Sequence, residues 1–491
     1  MNKVAIVNTL PIYNIVPPYH PHKIYPETRF KDTAQLNLPY KAVRNLFYQL
    51  KMDIENYNTP EWNPLSEYIK PGQTVVLKPN FVLSYNSSGN DIFSVITHPS
   101  ILRALIDYSF IALNGEGKII VADAPQMDCS FKDLMEIQRL DTIQEFYKKT
   151  FNFDIDVFDL RNFELINNRE KAFYENRRQL DGDPNGSVII NLGKESEFYG
   201  LPSQNYYGAD YNREETIKHH NGETHEYSVS KTILSADTII SVPKLKVHKK
   251  VGVTLNLKGL VGINTNKNYL VHFRVGFSAN NGDQLPDNRK QFDKLLIKTQ
   301  RYLYDRTLAK MSKSGDKIYN SALNIYKIFV KPFRGVSSDT VEFDAGNWYG
   351  NDTAWRMTVD LAKVLYFADK NGKMNNVKQR NIFCLIDGII AGEKIGPLAP
   401  DEKRAGCLIG GANPIAVDMV AARLMGYDIN KIKHLNLSNF EKMDFAIKSV
   451  SEIDIELDDI TINGNGFFDS RFKDKLLNFV PHPGWVNHIE I

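Results

Sequence analysis

The 491-residue sequence predicts an α/β fold, with mostly parallel sheets flanked by helices in two lobes. Three observations predict it. Short β-branched runs alternate with helix-length amphipathic stretches. Runs such as Thr74–Leu77 and Ile239–Val242 lack polar alternation, as strands covered on both faces require. Proline and glycine mark the joins, as in Pro71-Gly72 and Gly115-Glu116-Gly117.

Taken in order, Val4–Val7 reads as a first strand, and Tyr40–Leu50 as a helix on the spacing of Val43, Leu46, Phe47 and Leu50. Thr74–Leu77 is a strand. A helix opens at His98-Pro99-Ser100, with Thr97 as its cap and Pro99 where a missing N–H costs little. Lys118–Ala122 is the next strand, followed by one helix over Phe131–Lys149 and a strand at Ile155–Phe158. Residues 162–230 are polar and rich in Asn, Tyr and Glu, and read as a surface elaboration with a hairpin at Ser187–Leu192. His219, His220 and His225, within it, read as surface residues. Asp237–Val242 returns to a buried strand. Residues 284–333, with Lys290, Lys294, Lys298 and Arg301, form a helical insertion whose basic face is solvated. Asp352–Ala368 is helical, Ile382–Ile386 and Cys407–Ile409 are strands, and Asn413-Pro414 starts a helix ending near Gly426. The expected organisation is an N-terminal lobe (1–275), a helical insertion (276–345), a C-terminal lobe (346–430) and a tail of strands and loops (431–491).

Composition excludes several classes. Hydrophobic residues are 42% and charged residues 24%, unlike a disordered or fibrous chain. A net charge of +2 gives no electrostatic footprint for nucleic acid. Cys129, Cys384 and Cys407 lack the spacing of a zinc site or an iron–sulfur cluster, so no iron–sulfur cofactor is expected. No run approaches the roughly 18 apolar residues of a membrane span, and Asn8, Thr9 and Pro11 end the first apolar stretch too early for a secretory signal. The expected location is the cytoplasm. There is no Walker loop, nucleophile elbow or H-E-x-x-H motif.

Four apolar strands run into polar residues at their carboxyl ends. These are Lys78-Pro79-Asn80, Asp123-Ala124-Pro125, Pro243-Lys244-Leu245-Lys246-Val247-His248 and Asp387-Gly388. In open parallel sheets, ligands bind outside those ends. Four parallel neighbours would bring two carboxylates, several lysines and a histidine to one crevice. The densest segment, Pro243–Gly262, alternates Lys244, Lys246 and His248 on one face if extended. Val251, Val253, Leu255, Leu257 and Leu260 suggest that Lys258 emerges inside the protein, where an unpaired charge is costly. His272 and Arg274 share a face of Tyr269–Val275 if that run is extended. Histidines with a carboxylate suit a divalent metal, for which His272 is the candidate ligand, although spacing selects no particular ion. Asp352 reads as a helix cap and Arg356 with Asp360 as an ion pair; on the functional reading, Arg356 meets an anionic substrate. Asp418, in an apolar helix, either braces a loop or supports the site from behind.

VVLKPNFV (Val75–Val82), THPSILRALID (Thr97–Asp107), IIVADAP (Ile119–Pro125), ADTIISVPKLKVHKKVGVTLNLKGLVGI (Ala236–Ile263), LIDGIIAGEKIGP (Leu385–Pro397) and GGANPIAVDMVAARLMGYD (Gly410–Asp428) resemble the DUF362 family, over most of the chain. Many members append a ferredoxin-like domain with two cysteine-rich clusters; this chain has neither cluster. A more distant likeness is to the nickel-pincer lactate racemases. His248, Lys258 and His272 stand in the order, and with nearly the spacing, of three active-site residues there. That resemblance implies a cofactor-attachment role for Lys258, nickel ligation by His272 and acid/base work by His248. The glycine-rich turn before that lysine is reduced here to Thr254-Leu255-Asn256-Leu257, which favours a shared scaffold over a shared cofactor.

The expectation is an enzyme, racemase- or epimerase-like, for a small anionic substrate: a hydroxy acid, a sugar acid or a phosphorylated metabolite. Catalysis falls to His248, Lys258 and His272, and substrate binding to Lys78, Asn80, Asp123, Lys244, Lys246, Arg356 and Asp387. The alternative is a non-catalytic protein that holds a phosphorylated ligand.

Overall fold

Strands form where Val, Ile and Leu are densest, and the long ones join a single frame. The computed structural model describes residues 2–165, 177–209, 212–287, 291–307, 313–329, 345–443, 446–457, 460–469 and 475–491. Its frame is a twelve-stranded sheet. In chain order the strands are β1 (Lys3–Asn8), β2 (Thr74–Pro79), β3 (Lys118–Asp123), β4 (Ile155–Asp159), β5 (Thr238–Val242) and β6 (Lys244–His248). They continue as β7 (Gly252–Val253), β8 (Asn381–Glu393), β9 (Asp401–Lys403), β10 (Cys407–Gly411), β11 (Asp454–Leu457) and β12 (Ile460–Asn463). The main order is β12-β11-β1-β10-β8-β5-β2-β3-β4, with β6 and β9 against β8, and β7 against β6. The run β8-β5-β2-β3-β4 is parallel throughout, and β10 lies antiparallel to both β1 and β8. Strands from residues 3–248 and from 381–463 alternate within this one sheet.

Alternation along β2 builds two cores. Val75 and Leu77 face one layer of helices, and Val76 faces the other. The first layer includes α1 (Leu38–Gln49), α2 (Pro99–Ala112), α3 (Phe131–Gln138) and α4 (Leu140–Phe151). The second includes α5 (Leu255–Gly259), α6 (Ala354–Phe367) and α7 (Pro414–Leu424). Covering both faces explains the uninterrupted apolar character of β2, β3 and β5.

Several expectations change in detail. The helix read over Phe131–Lys149 breaks at Arg139, whose φ of 49° is left-handed. Ser187–Asn191 is a strand, but its partner is the distant Thr224–Ser230 rather than a local hairpin arm. His98 caps α2 itself, its Nδ1 accepting from the Ser100 amide, while Thr97 Oγ1 accepts from the Asn80 amide and donates to the Val242 carbonyl. His220 and His225 are buried rather than at the surface, packed against Phe198 and held neutral by burial. The insertion contains the helices Gln291–Arg306 and Lys313–Phe329; Lys290 lies outside the described residues. Among the described residues, no helix is long and apolar enough to cross a membrane.

The strand read as Asp237–Val242 has a continuation that positions the site. Pro243 lacks an N–H, so the ladder is interrupted after β5, and the chain resumes as β6 along the same neighbour. The thirteen-residue β8 spans both pieces: Ser241 lies opposite Cys384, Lys244 opposite Asp387 and Lys246 opposite Gly392, with a register shift between the last two pairs. This break carries Lys246 and His248 past the ends of β2 and β3, while Leu245 and Val247 pack in the core that contains α5.

Candidate functional site

A cavity of about 390 Å³ lies at the carboxyl ends of β2, β3 and β6. Lys78 and Asn80 reach it from β2 and the turn after it, Asp123 from β3, and Lys246 and His248 from β6. Lys249, Lys250, Thr254, Lys258 and Gly262 follow along the chain, and Lys267 closes that wall. His272 and Phe273 come from the strand Val271–Arg274, with Tyr207, Arg301 and Asn347 also in the lining. Asp123 is the one carboxylate lining the cavity among the described residues, against six lysines.

The cations are held in different ways. Lys78 Nζ donates to Asp123 Oδ1 at 2.9 Å and to the Pro79 carbonyl at 3.0 Å. Asp123 also accepts from the Phe81 and Ala124 amides, so its oxygens are committed. Lys246 donates to the Val95 and Pro397 carbonyls, and Lys267 to those of Ala124, Val261 and Asn264. Lys250 donates to the Ala345 carbonyl and to Asn347 Oδ1. Lys258 is 6% exposed, and its ammonium has no hydrogen-bond or ion-pair partner among the described residues.

Burial weakens the hold on protons. It brings Lys258 from 10.5 down to about 7, and Lys267 also to about 7. Burial, then the neighbouring lysines, pushes Lys246 and Lys250 well below the usual lysine range. Burial and the Lys258 ammonium push both His248 and His272 well below the ordinary imidazole value, so both rings are neutral near pH 7. Their hydrogen bonds assign opposite tautomers. His248 Nδ1 accepts from the Lys250 amide at 3.0 Å, which puts the ring proton on Nε2. His272 Nδ1 lies 3.0 Å from the Leu270 carbonyl and donates to it, which leaves a lone pair on Nε2.

Lys258 is positioned from below. Asp418 Oδ1 accepts from the Asn256 amide at 2.9 Å and from Asn256 Nδ2 at 2.8 Å, and Oδ2 accepts from the Leu257 amide at 2.8 Å. Burial raises this carboxyl to about 7 despite those three donors. Leu255, at the start of α5, has a φ of 42°, a conformation unfavourable to a branched side chain. Thus Asp418 braces the turn that carries the lysine, the first of the two roles read for it in the sequence. Gly262 is required at its place: a Cβ there would lie 1.8 Å from Asp123 Oδ1 and 2.7 Å from Lys78 Nζ.

Not every residue read as a site residue lies here. Lys78, Asn80, Asp123, Lys246, His248, Lys258 and His272 line the cavity; Lys244, Asp387 and Arg356 do not. Lys244 and Asp387 are fully buried, with Nζ 2.7 Å from Oδ2. Tyr13 OH donates to Asp387 Oδ1 at 2.6 Å and accepts from Lys244, and the His98 amide donates to Oδ2 at 3.0 Å. This cluster joins the N-terminal segment to β6 and β8. The strand-end rule included Asp387 because the strand Ile382–Ile386 was expected to stop there; β8 instead runs on to Glu393, so Asp387 is mid-sheet. Arg356 pairs with Asp352 at 2.9 Å rather than with Asp360, and also donates to the Glu197 carbonyl. Asp352 is not the cap: Asn351 Oδ1 accepts from the Thr353 and Ala354 amides. Asp360 accepts instead from Ser196, Tyr227 and the Glu197 amide.

Sequence reasoning missed Lys267, Phe273, Tyr207 and Asn347. Lys267 is surrounded by asparagines with no apolar pattern, and Tyr207 belongs to the polar stretch. Among the described residues, no group of three His, Cys, Asp or Glu side chains would hold a metal ion. His272 offers a single nitrogen, so the residues present do not form a chelate, and no step is drawn through a metal.

Residues 180–423 match the family model described as "Domain of unknown function (DUF362)", which supports that family. The match contains Ala236–Ile263 and Leu385–Pro397 and lies downstream of Val75–Val82, Thr97–Asp107 and Ile119–Pro125. No curated protein matches the chain. Among solved structures, it is similar to a crystal structure of a protein from Thermotoga maritima, at 11% identity and a TM-score of 0.28. That alignment covers 78% of this chain and 58% of the other.

Proposed function

We propose that the chain is an enzyme that binds a small anionic substrate and moves a proton on it, in the manner of a racemase or epimerase. The substrate is a hydroxy acid, a sugar acid or a phosphorylated metabolite. The observation that carries this reading is one cavity lined by His248, Lys258 and His272 together with further lysines and a single carboxylate. A 390 Å³ space falls within the range of small-molecule sites. An anion there would meet Lys246, Lys249, Lys250 and Lys258, and the charge developing on a deprotonated carbon would be stabilised by the same groups. The Nε2 lone pair of His272 would accept the proton, and the Nε2–H of His248 would supply one, giving opposite roles to two neutral rings.

The test uses the full chain in D₂O with L-lactate, L-malate, D-gluconate or 3-phosphoglycerate, followed by proton NMR. Loss of the signal from the carbon next to the carboxylate supports the reading, and H248A and H272A should each slow it about 10²–10⁴-fold. Ligand-induced shifts without exchange would favour a non-catalytic binding protein.

A further inference from the structure

We propose that Lys258 is an imine-forming lysine, and that the substrate carries a carbonyl group close to its anionic group, as in a 2-oxo acid or a phosphorylated ketone. This rests on the anion-site reading and narrows it to one bond.

Two geometric observations carry it. First, Lys258 stands apart from the other buried lysines of the wall; Lys249, whose ammonium also has no partner among the described residues, is partly exposed. Lys78, Lys246, Lys250 and Lys267 each donate to carbonyl or carboxylate oxygens, whereas Lys258 opens on the cavity with no partner among the described residues. A fully buried, unpaired amine is costly, and nothing in the packing repays that cost. Second, its backbone is fixed. Asp418 clamps the Asn256 and Leu257 amides, and Leu255 is held at positive φ. A merely space-filling side chain needs no such anchoring. Desolvation beside other cations is a recognised means of activating a lysine nucleophile. A value of about 7 leaves a large share of free amine at neutral pH.

The step balances without an added reagent. The Nζ lone pair attacks the carbonyl carbon, the C–N bond forms and the carbonyl π pair moves to oxygen, which takes a proton to give a carbinolamine. In all the nitrogen gives up two protons and the oxygen takes up two, so the C–O bond breaks with departure of water. The product is R₂C=N–Lys plus H₂O, with no change of oxidation state. Protonated, the imine draws electrons from the adjacent carbon, whose proton His272 Nε2 would take. The neighbouring lysines bind the carboxylate or phosphate.

The full chain is incubated separately with pyruvate and with dihydroxyacetone phosphate. Binding is measured by calorimetry, and each sample is then reduced with sodium borohydride. Intact mass and peptide mapping locate the adduct. The expected result is a single reduced adduct on Lys258 from one of the two probes, which also separates the oxo-acid and phosphate classes. It should be lost in K258R and retained in K132A, which removes an exposed lysine of α3 outside the cavity, and its rate should rise as pH increases through about 7. Mapping on the wild-type chain needs no variant to fold. Binding of either probe without an adduct overturns the imine and leaves the anion site standing. An adduct on any other lysine also overturns it. Absence of both binding and adduct overturns both readings.

Discussion

Replacing Lys258 by methionine should stabilise the protein at neutral pH. Methionine is of similar volume and flexible, so packing is conserved while the buried amine is removed. Burial lowers this group from 10.5 to about 7 in the folded chain. Below about pH 7 both folded and unfolded chains are protonated, and the whole penalty of burying the charge is present. Between about 7 and 10.5 the unfolded chain holds the extra proton, so stability rises with pH and the penalty fades. At 1.36 kcal/mol per unit, the wild-type chain carries about 4 kcal/mol of destabilisation at pH 7 and about 2 kcal/mol at pH 9. An unfolding entropy of about 2.1 cal/mol/K per residue over 491 residues makes 1 kcal/mol worth about 1 °C. Calorimetry of K258M against wild type should therefore show Tm higher by about 4 °C at pH 7 and about 2 °C at pH 9. An unchanged or lower Tm at pH 7, or a difference that does not shrink with pH, would refute the argument that Lys258 is an uncompensated buried amine.

G262A places a methyl group on the Lys78–Asp123 pair and should cost about 3 kcal/mol in stability together with anion binding, both readable by thermal shift with and without phosphate. D418N keeps the shape but turns a donor toward either the Asn256 or the Leu257 amide; about 2 kcal/mol of lost stability and slower borohydride trapping at Lys258 should follow. Y13F removes a hydroxyl shared by Asp387, Lys244 and the Ile390 amide; it should lower stability by about 2 kcal/mol while leaving phosphate affinity unchanged. Anion binding at pH 8 should take up protons as Lys258 and Lys267 recharge, and the uptake should vanish near pH 6; calorimetry in buffers of different ionisation enthalpy reads it.

The sheet was legible because its strands are buried on both faces: β2, β3, β5 and β10 stand out as apolar runs whose neighbours are polar. The same feature brought Lys78, Asp123, Lys246 and His248 into view, since a charge at the end of such a run has few structural duties. Lys244 and Asp387 show the limit of that logic. They carry the same signature, yet they satisfy one another inside the sheet, and only the continuation past Pro243 reveals it. Lys267, Tyr207 and Phe273 had no signal because loops and short peripheral strands bring them to the cavity, and loop conformation follows tertiary contacts more than local pattern. His220 and His225 were misread for a related reason: the chain around them is polar, but it folds back over Phe198 and Tyr227.

The junction at Pro243 also bears on how this molecule tolerates change. Side chains along β6 alternate between its two faces, beside a β8 whose register against it shifts between Lys244 and Lys246. Inserting or deleting a single residue between Pro243 and His248 would reverse the alternation, turning Leu245 and Val247 to the face that Lys246 and His248 now occupy. Substitutions here vary the chemistry one group at a time, whereas a change in length exchanges every group at once. In any relative that uses this pocket, the spacing from that proline to the histidine should be the most strictly kept measurement in the chain.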